Sequence, residues 1–137
     1  MDPGFLKMAE LGKKYSLADY LAAFTARADI ANAMARFHER YDLLLTPQMP
    51  IPALEAGRVT PADGSYGDNW INWSSYTYPF NLTQQPAASV PCGFSSDRLP
   101  IGLQIVGPAR QDQLVLRAAR AFESARPFRF IDAPLQN

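Results

Sequence analysis

The order of apolar and polar residues has a helical period in the first third of the chain. Residues 5–14 predict a short helix that ends near Gly12. Ser16, followed three positions later by Asp19, forms an acidic variant of the capping box and marks the start of a longer helix. Apolar residues then recur three or four positions apart, at Leu17, Leu21, Phe24, Ala28, Ala31, Met34 or Ala35, and Phe37. This spacing predicts one apolar face packed on a core and one polar face in water.

The period changes after this helix. Three consecutive leucines in residues 41–47 are followed by Thr46 and Pro47, and proline lacks the amide donor that a continuing strand needs. The pattern predicts a short strand that is buried on both faces. A helix followed by a buried strand favours α/β packing. Prolines and glycines are frequent in residues 47–68, so we predict a long irregular excursion there.

The second half of the chain predicts a β-hairpin and a final helix. Residues 77–94 and 99–108 are two extended segments bounded by proline and glycine and joined by a polar turn. Gln104 lies between apolar neighbours in the second segment, so it needs hydrogen-bond partners if it is buried. Asp112 is the predicted N-cap of the last helix, which ends at Arg126 and Pro127.

Composition narrows the class of protein. The 137 residues, 47% of them hydrophobic, predict a single domain over residues 1–137. Basic and acidic residues balance to a net charge of zero, which disfavours nucleic acid and membrane partners. Cys92 is the only cysteine, so no internal disulfide and no zinc site are expected. No apolar run approaches the roughly 20 residues that span a bilayer, and no signal peptide is evident. The predicted location is cytoplasmic.

Both tryptophans lie in the aromatic segment at residues 69–78. Trp70 and Trp73 are three positions apart, which also fits one face of a helical turn packed into a core. Core packing is the favoured interpretation, because large aromatic residues lie in cores more often than in pockets. The alternative is a pocket wall that holds an organic substrate, since aromatic rings with polar groups suit such a surface.

Catalytic candidates are few. His38 is the only histidine, and no serine, cysteine or second ligand lies at helical spacing from it, so no chemistry is assigned to it. The only lysines are Lys7, Lys13 and Lys14, in the first helix, where they are expected to be solvated. Cys92 has no base nearby in sequence. We therefore predict no catalytic residue and no metal ligand in this chain.

Several motifs together resemble the C-terminal part of the amidase signature enzymes. N-L-T-Q-Q-P-A-A-S-V-P-C-G-F at residues 81–94 and L-P-I-G-L-Q-I-V-G at residues 99–107 precede an alanine-rich helix, as in that family. Residues 41–47 resemble the family's Y-D-x-L-L-T-P strand, and residues 2–4 resemble its D-P-G stretch. Gln84 stands where the family pattern has glycine. Either this turn tolerates another residue, or its φ is negative.

The resemblance implies an α/β fold in which helices pack on a small mixed sheet with a C-terminal β-hairpin and helix, part of an amidase signature fold. It also implies a hydrolase that cleaves carboxamide C–N bonds with two serines and a lysine, without a cofactor. Those three residues belong to a preceding part of the family, so the catalytic N-terminal portion is expected to be absent here. We expect the C-terminal part of an amidase that is inactive alone. The alternatives are a stand-alone binding or assembly module derived from an amidase tail, or an autonomous enzyme with an unrecognised site.

The resemblance also bears on substrate and partners. Members that release ammonia from glutamine carry an acidic residue at the position of Ser75, so a bulkier or more apolar amide is expected here. Trp70, Trp73 and Ser75 are nominated for the substrate-binding wall. The expected partners are a small-molecule amide in the full-length enzyme, and either the remaining amidase portion or a second copy of the chain. These partners are expected because strand edges and apolar faces of this chain are exposed when the portion that would cover them is missing.

Overall fold

The computed structural model describes residues 3–129 and has an α/β fold. The helices are α1 (Pro3–Gly12), α2 (Leu17–His38), α3 (Tyr78–Thr83) and α4 (Asp112–Ala125), with one 3₁₀ turn at Trp70–Trp73. The strands are β1 (Leu44–Pro47), β2 (Ala87–Phe94) and β3 (Pro100–Val106), in the order β1-β3-β2. The predicted fold class is confirmed. Asp2, where the predicted D-P-G stretch begins, lies outside the described residues.

The sheet is antiparallel at both of its pairings. The turn after Phe94 reverses the chain and pairs β2 with β3, which confirms the predicted hairpin, and a bulge interrupts this pairing between Pro91 and Gly93. Strand β1 pairs with the other edge of β3, with Leu45 opposite Ile105. The mixed pairing that we predicted therefore does not form among the described strands.

The core lies between the hairpin and α4. Val90 and Ile105 from the sheet pack against Val115 and Ala119 from α4. This helix begins one residue earlier than predicted, because the carbonyl of Gln111 accepts the first helical amides and Gln111 itself is the N-cap. Asp112 is instead the first helical residue, where its carboxylate interacts favourably with the helix dipole.

Helix α3 replaces the first part of a predicted extended segment. Its second residue is Pro79, and proline fits the first turn of a helix because its fixed φ is already helical. Phe80 and Thr83 are buried, so this short helix is stabilised by packing rather than by its length. The extended structure begins only at Ala87, after the turn at Gln84.

Gln84 adopts the left-handed conformation. Its φ is 58° and its ψ is 35°, and its amide donates to the carbonyl of Phe80 at the end of α3. Of the two alternatives, the turn therefore tolerates a residue other than glycine. The left-handed conformation costs a residue with a Cβ about 1 kcal/mol, and glycine avoids this cost.

Gln84→Gly is therefore expected to raise the free energy of unfolding by about 0.5–1 kcal/mol, since strain relief exceeds the entropy gained by the unfolded chain. Urea denaturation followed by circular dichroism measures the change. Gln113→Gly is the matched control, because Gln113 is exposed and has a helical conformation as the second residue of α4, where the same change should be destabilising by up to about 1 kcal/mol. A loss of stability at Gln84 as large as that at Gln113 would contradict the argument.

Helix α2 starts as predicted, but its apolar face is uncovered. Ser16 and Asp19 form both hydrogen bonds of the capping box. The side-chain hydrogen bond from Ser16, together with that from its backbone amide, lowers the pKa of Asp19. No residue of α2 is buried, and Leu17 and Phe24 are 73% and 57% exposed. The predicted packing of this face on a core is therefore wrong within the described residues, where α2 contacts α3 and Arg27 Nε donates to the carbonyl of Leu82 at 2.7 Å.

Strand β1 also differs from its prediction. Leu44 and Thr46 are half-buried, whereas Leu45 and Pro47 are exposed, with Leu45 57% exposed. This alternation is typical of a strand with one covered face. The prediction of burial on both faces is therefore wrong for the described residues, because β1 is an edge strand with nothing packed over its second face.

The chain from residue 48 to residue 69 contains no helix or strand, as predicted. It is nevertheless attached to the aromatic segment at two points. Trp73 Nε1 donates to the carbonyl of Val59 at 2.8 Å, and Asn72 Nδ2 donates to the carbonyl of Tyr66 at 2.8 Å. These hydrogen bonds give the excursion a defined position beside the 3₁₀ turn.

Candidate functional site

The three nominated residues lie close in sequence but have different surroundings. Trp70 and Trp73 are the first and last residues of the 3₁₀ turn, which confirms the predicted helical turn. Trp70 is 51% exposed, so core packing is wrong for this ring. Trp73 is less exposed, and its indole N–H is held by the hydrogen bond to Val59. Ser75 is half-buried and follows Ser74, whose hydroxyl donates to the carbonyl of Ile71.

Trp73 lines an open cleft of about 380 Å³, which we call the Trp73 cleft. The other walls come from the start of the irregular excursion and from the hairpin, mostly as apolar side chains: Gln48, Met49, Pro50, Ile51, Pro52, Ala53, Ser89, Pro100, Ile101 and Gly102. Trp70 and Ser75 do not line it. A mostly apolar cleft with a few polar groups is the usual form of a small-molecule site.

The floor of the Trp73 cleft depends on a close approach at Gly102. The amide of Gln48 donates to the carbonyl of Gly102 at 2.9 Å. A Cβ at Gly102 would lie 2.8 Å from Ser89 Oγ and 3.0 Å from Gln48 Cβ. Glycine therefore lets the excursion pack against β3 here without displacing Ser89 or Gln48. Sequence analysis missed residues 48–53 as a wall, because their proline content indicated only the absence of regular structure.

Gln104 connects the sheet to the aromatic segment. Its side chain is 2% exposed, and Nε2 donates to Thr46 Oγ1 and to the carbonyl of Tyr76, both at 2.9 Å. The prediction that a buried Gln104 requires partners is confirmed. The two bonds hold the backbone just after Ser75 against β1 and β3, and so position the segment that carries Trp73.

The three lysines and Cys92 are not arranged as parts of a catalytic triad. Lys7, Lys13 and Lys14 are exposed, and Lys13 Nζ is 2.7 Å from Glu10 Oε1. In residues 3–129, no serine hydroxyl is hydrogen-bonded to a lysine. Cys92 is exposed, with Sγ 3.4 Å from the carbonyl of Ile101. These positions offer no base for a nucleophile.

Two further properties concern the described part of the chain. Between residues 3 and 129, no group of three or more histidine, cysteine, aspartate or glutamate side chains is placed to hold a metal ion. None of the helices in this range is both long enough and apolar enough to cross a bilayer. That the whole chain needs neither a metal nor a cofactor stays a prediction.

Comparison with known proteins decides the family. The sequence profile of the family described as "Amidase" matches residues 3–116. This chain belongs to the amidase family. Among curated relatives, it is 30% identical over 131 residues to an acylamidase of Rhodococcus erythropolis, covering 93% of this chain and 27% of that protein. It is 38% identical over 125 residues to a glutamyl-tRNA(Gln) amidotransferase subunit of Myxococcus xanthus, covering 91% of this chain and 25% of that protein.

Solved structures of amidases have the same fold. A bacterial aryl acylamidase of the amidase signature family superposes with a TM-score of 0.78 at 30% identity, over 93% of this amidase chain and 27% of that enzyme. The corresponding glutamyl-tRNA(Gln) amidotransferase subunit from Thermotoga maritima superposes with a TM-score of 0.75 at 31% identity, over 92% and 26%. The chain thus spans about a quarter of the length of the relatives that it matches. The chain is similar both to acylamidases and to amidotransferase subunits, so its substrate preference stays a prediction.

Proposed function

We propose that this chain is the C-terminal part of an amidase that hydrolyses carboxamide C–N bonds by serine acyl transfer, with the nucleophile and its base supplied by polypeptide outside these residues. The observation that carries the proposal is membership of the amidase family at about a quarter of the relatives' length. The exposed positions of all three lysines support it, because a lysine that acts as a base must be buried to lower its pKa. In this proposal the chain alone is inactive.

The length of the relatives supports a large partner. This chain covers 27% and 25% of two curated relatives, so most of such an enzyme lies outside these residues. We expect that portion to cover surface that the chain exposes by itself.

Many of the exposed apolar side chains lie on the first two helices. Helices α1 and α2 carry nine large hydrophobic residues in exposed positions: Phe5, Leu6, Met8, Leu11, Leu17, Tyr20, Leu21, Phe24 and Ile30. An exposed apolar surface of this extent is unusual for a monomeric protein and marks an interaction site. The same surface supports the alternative function, a stand-alone assembly module. In the absence of the remaining amidase portion, we expect the chain to self-associate through it.

The Trp73 cleft supports the proposed preference for an aryl or alkyl amide. Its walls are mostly apolar, and its described polar side chains, Gln48 and Ser89, carry no charge. A glutamine substrate has charged α-amino and α-carboxylate groups that need oppositely charged or strongly polar partners. Among the three nominated residues, Trp73 has structural support as a wall residue, while Trp70 and Ser75 remain nominations.

The proposal is tested by assaying an anilide with the chain alone and with the polypeptide that carries the nucleophile and its base, which the proposal expects to be encoded next to it. We expect no turnover by the chain alone. After the two polypeptides are mixed, we expect turnover, and light scattering should show a one-to-one complex. The matched control is the neighbouring polypeptide by itself, which should be inactive or much weaker. Turnover by the chain alone that is lost on substitution of Lys7, Lys13 or Lys14 would sink the proposal in favour of an autonomous enzyme.

Substrate preference is tested in the active assembly with Trp73→Ala. Loss of the indole is expected to lower kcat/KM for an anilide about tenfold, since an apolar pocket contact contributes on the order of one to a few kcal/mol. Hydrolysis of glutamine, already slower than that of the anilide, should change less. Trp70→Ala is the comparison variant and should lose less, because Trp70 does not line the cleft. A loss for Trp70→Ala as large as that for Trp73→Ala would contradict the assignment of the substrate wall to the Trp73 cleft and favour the exposed face of the 3₁₀ turn.

A further inference from the structure

An open groove lies between α2 and the end of α3, and we call it the Arg27 groove. Its volume is about 400 Å³, and its lining is apolar apart from one charged and two uncharged polar side chains: Phe24, Arg27, Ala28, Ala31, Leu82, Thr83 and Gln84. The residues from α2 are spaced at three or four positions, which places them on one face of the helix. None of the residues nominated for substrate binding lines this groove.

Arg27 brings a positive charge without a counter-charge to this groove. Its Nε donates to the carbonyl of Leu82 at 2.7 Å, and this bond orients the planar guanidinium. Nη1 and Nη2 have no hydrogen-bond partner, and no carboxylate pairs with Arg27, among residues 3–129. The residue is half-buried, so part of its surface stays accessible. The groove therefore presents free donors and an unpaired charge beside apolar side chains.

A polypeptide that covers this groove would bury that charge. Phe24 and Leu82 are 57% and 40% exposed, and apolar side chains of this kind favour a covering partner. A guanidinium stays protonated in proteins, so Arg27 cannot avoid the cost of burial by losing its charge. Buried charges are tolerated when they are paired. A surface that packs on Phe24 and Leu82 must therefore bring a carboxylate to Arg27.

A second copy of the chain does not supply this carboxylate through a two-fold symmetric contact. In such an interface the same patch of both subunits faces itself. The described lining of the Arg27 groove contains no acidic residue. Two copies of Arg27 would approach each other instead, and like charges at an interface are unfavourable. Self-association of the chain is therefore expected to leave the groove open.

We propose that the Arg27 groove is the docking site for an acidic residue of the remaining amidase portion. Its carboxylate accepts hydrogen bonds from Nη1 and Nη2, while apolar residues beside it pack on Phe24 and Leu82. The inference rests on the proposed function, which requires a remaining portion, and it adds the chemistry that selects this partner over a second copy. Because a guanidinium holds a carboxylate in a fixed geometry, the pair also orients the docked segment.

The inference is tested by replacing Arg27 with citrulline in a semisynthetic full-length chain. Citrulline keeps the length of the side chain and the Nε–H that donates to Leu82, but it has no charge. Calorimetric titration at low and high salt measures binding to the polypeptide that carries the nucleophile and its base. We expect the citrulline chain to bind at least about tenfold more weakly. Added salt should weaken binding of the unaltered chain more than that of the citrulline chain.

Citrulline in place of Arg36 is the matched control. Arg36 is exposed and lies nine positions after Arg27 on α2, which is two and a half helical turns and hence the opposite face. Its replacement should change the affinity less than about threefold. Self-association of the chain alone, measured by light scattering, should be unchanged or stronger with citrulline in place of Arg27. Weakening of both kinds of complex would assign Arg27 a structural role between α2 and α3 and would overturn the inference.

Substitutions in the partner polypeptide locate the carboxylate. Replacing one of its acidic residues by the corresponding amide should weaken binding of the unaltered chain at least about tenfold and binding of the citrulline chain much less. Failure of every such substitution to show this coupling would mean that neutral groups face Arg27, and it would overturn the inference. Equal affinities of the Arg27 and Arg36 variants would do the same and leave the proposed function standing. Absence of any complex with the unaltered chain would instead contradict the proposed function, and the inference with it.

Discussion

Gly107→Ala is expected to lower the free energy of unfolding by about 2 kcal/mol, because the added methyl group has no space. A Cβ at this position would lie 2.6 Å from Val115 Cγ2, well inside the contact distance of two carbon atoms. Val115 is a buried core residue on α4, and it packs with Val90 and Ile105. Val115 is 2% exposed and β-branched, so its rotation is costly, and the variant must shift either this side chain or α4.

Urea denaturation followed by far-ultraviolet circular dichroism measures this loss. Gly93→Ala is the matched control, because a Cβ at Gly93 meets nothing within 4 Å and its free energy of unfolding should change by less than about 0.5 kcal/mol. The double variant with Val115→Ala should lose less than the sum of the two single variants, since truncation of Val115 removes the clash. Similar stabilities for Gly107→Ala and Gly93→Ala would show that the structure around Val115 accommodates the methyl group at little cost in the free energy of unfolding.

Gln104→Leu is expected to destabilise the chain by about 2–3 kcal/mol although it preserves side-chain volume. The substitution removes both hydrogen bonds of a fully buried side chain. The carbonyl of Tyr76 and the hydroxyl of Thr46 then lose their donor. A polar group that remains buried without a partner costs about 1–3 kcal/mol, and both bonds are part-buried, so the two groups contribute comparably, each near the lower end of this range.

The same denaturation experiment tests this prediction, with tryptophan fluorescence as a second measurement. Release of the backbone at Tyr76 should expose Trp73 to water and move its emission to longer wavelength. Thr46→Val is the matched control, because it removes only one of the two bonds and should cost about 1 kcal/mol. A leucine variant as stable as the parent chain would show that the two bonds add nothing to stability.

Both predictions concern the junction between the sheet, α4 and the aromatic segment. Gln104 positions the chain that carries Trp73, and Gly107 lets α4 approach the sheet. Loss of the two hydrogen bonds of Gln104 should therefore weaken ligand binding in the Trp73 cleft as well. A variant intended to change only binding is better placed at Trp73.

The amino-acid sequence by itself determined the elements whose signals lie within a few residues of each other. The capping box at Ser16 and Asp19 sets the start of α2, and both of its hydrogen bonds are formed. The proline and glycine pattern around residues 87–106 determined the hairpin. The family motifs in the same region determined membership of the amidase family, since their order and spacing are readable without any contact.

Tertiary structure alone decided which side chains are covered and which residues meet. Helix α3 is stabilised by the burial of Phe80 and Thr83, and Pro79 in its first turn did not by itself distinguish it from the predicted extended segment. The Trp73 cleft joins residues 48–53 to a tryptophan some twenty positions later and to the hairpin, so only the folded chain creates it. The apolar face of α2 has the right period for a core but no covering partner among the described residues. Periodicity reports which face can be buried, whereas burial itself requires a second surface, and that surface lies at a distance along the chain or outside it.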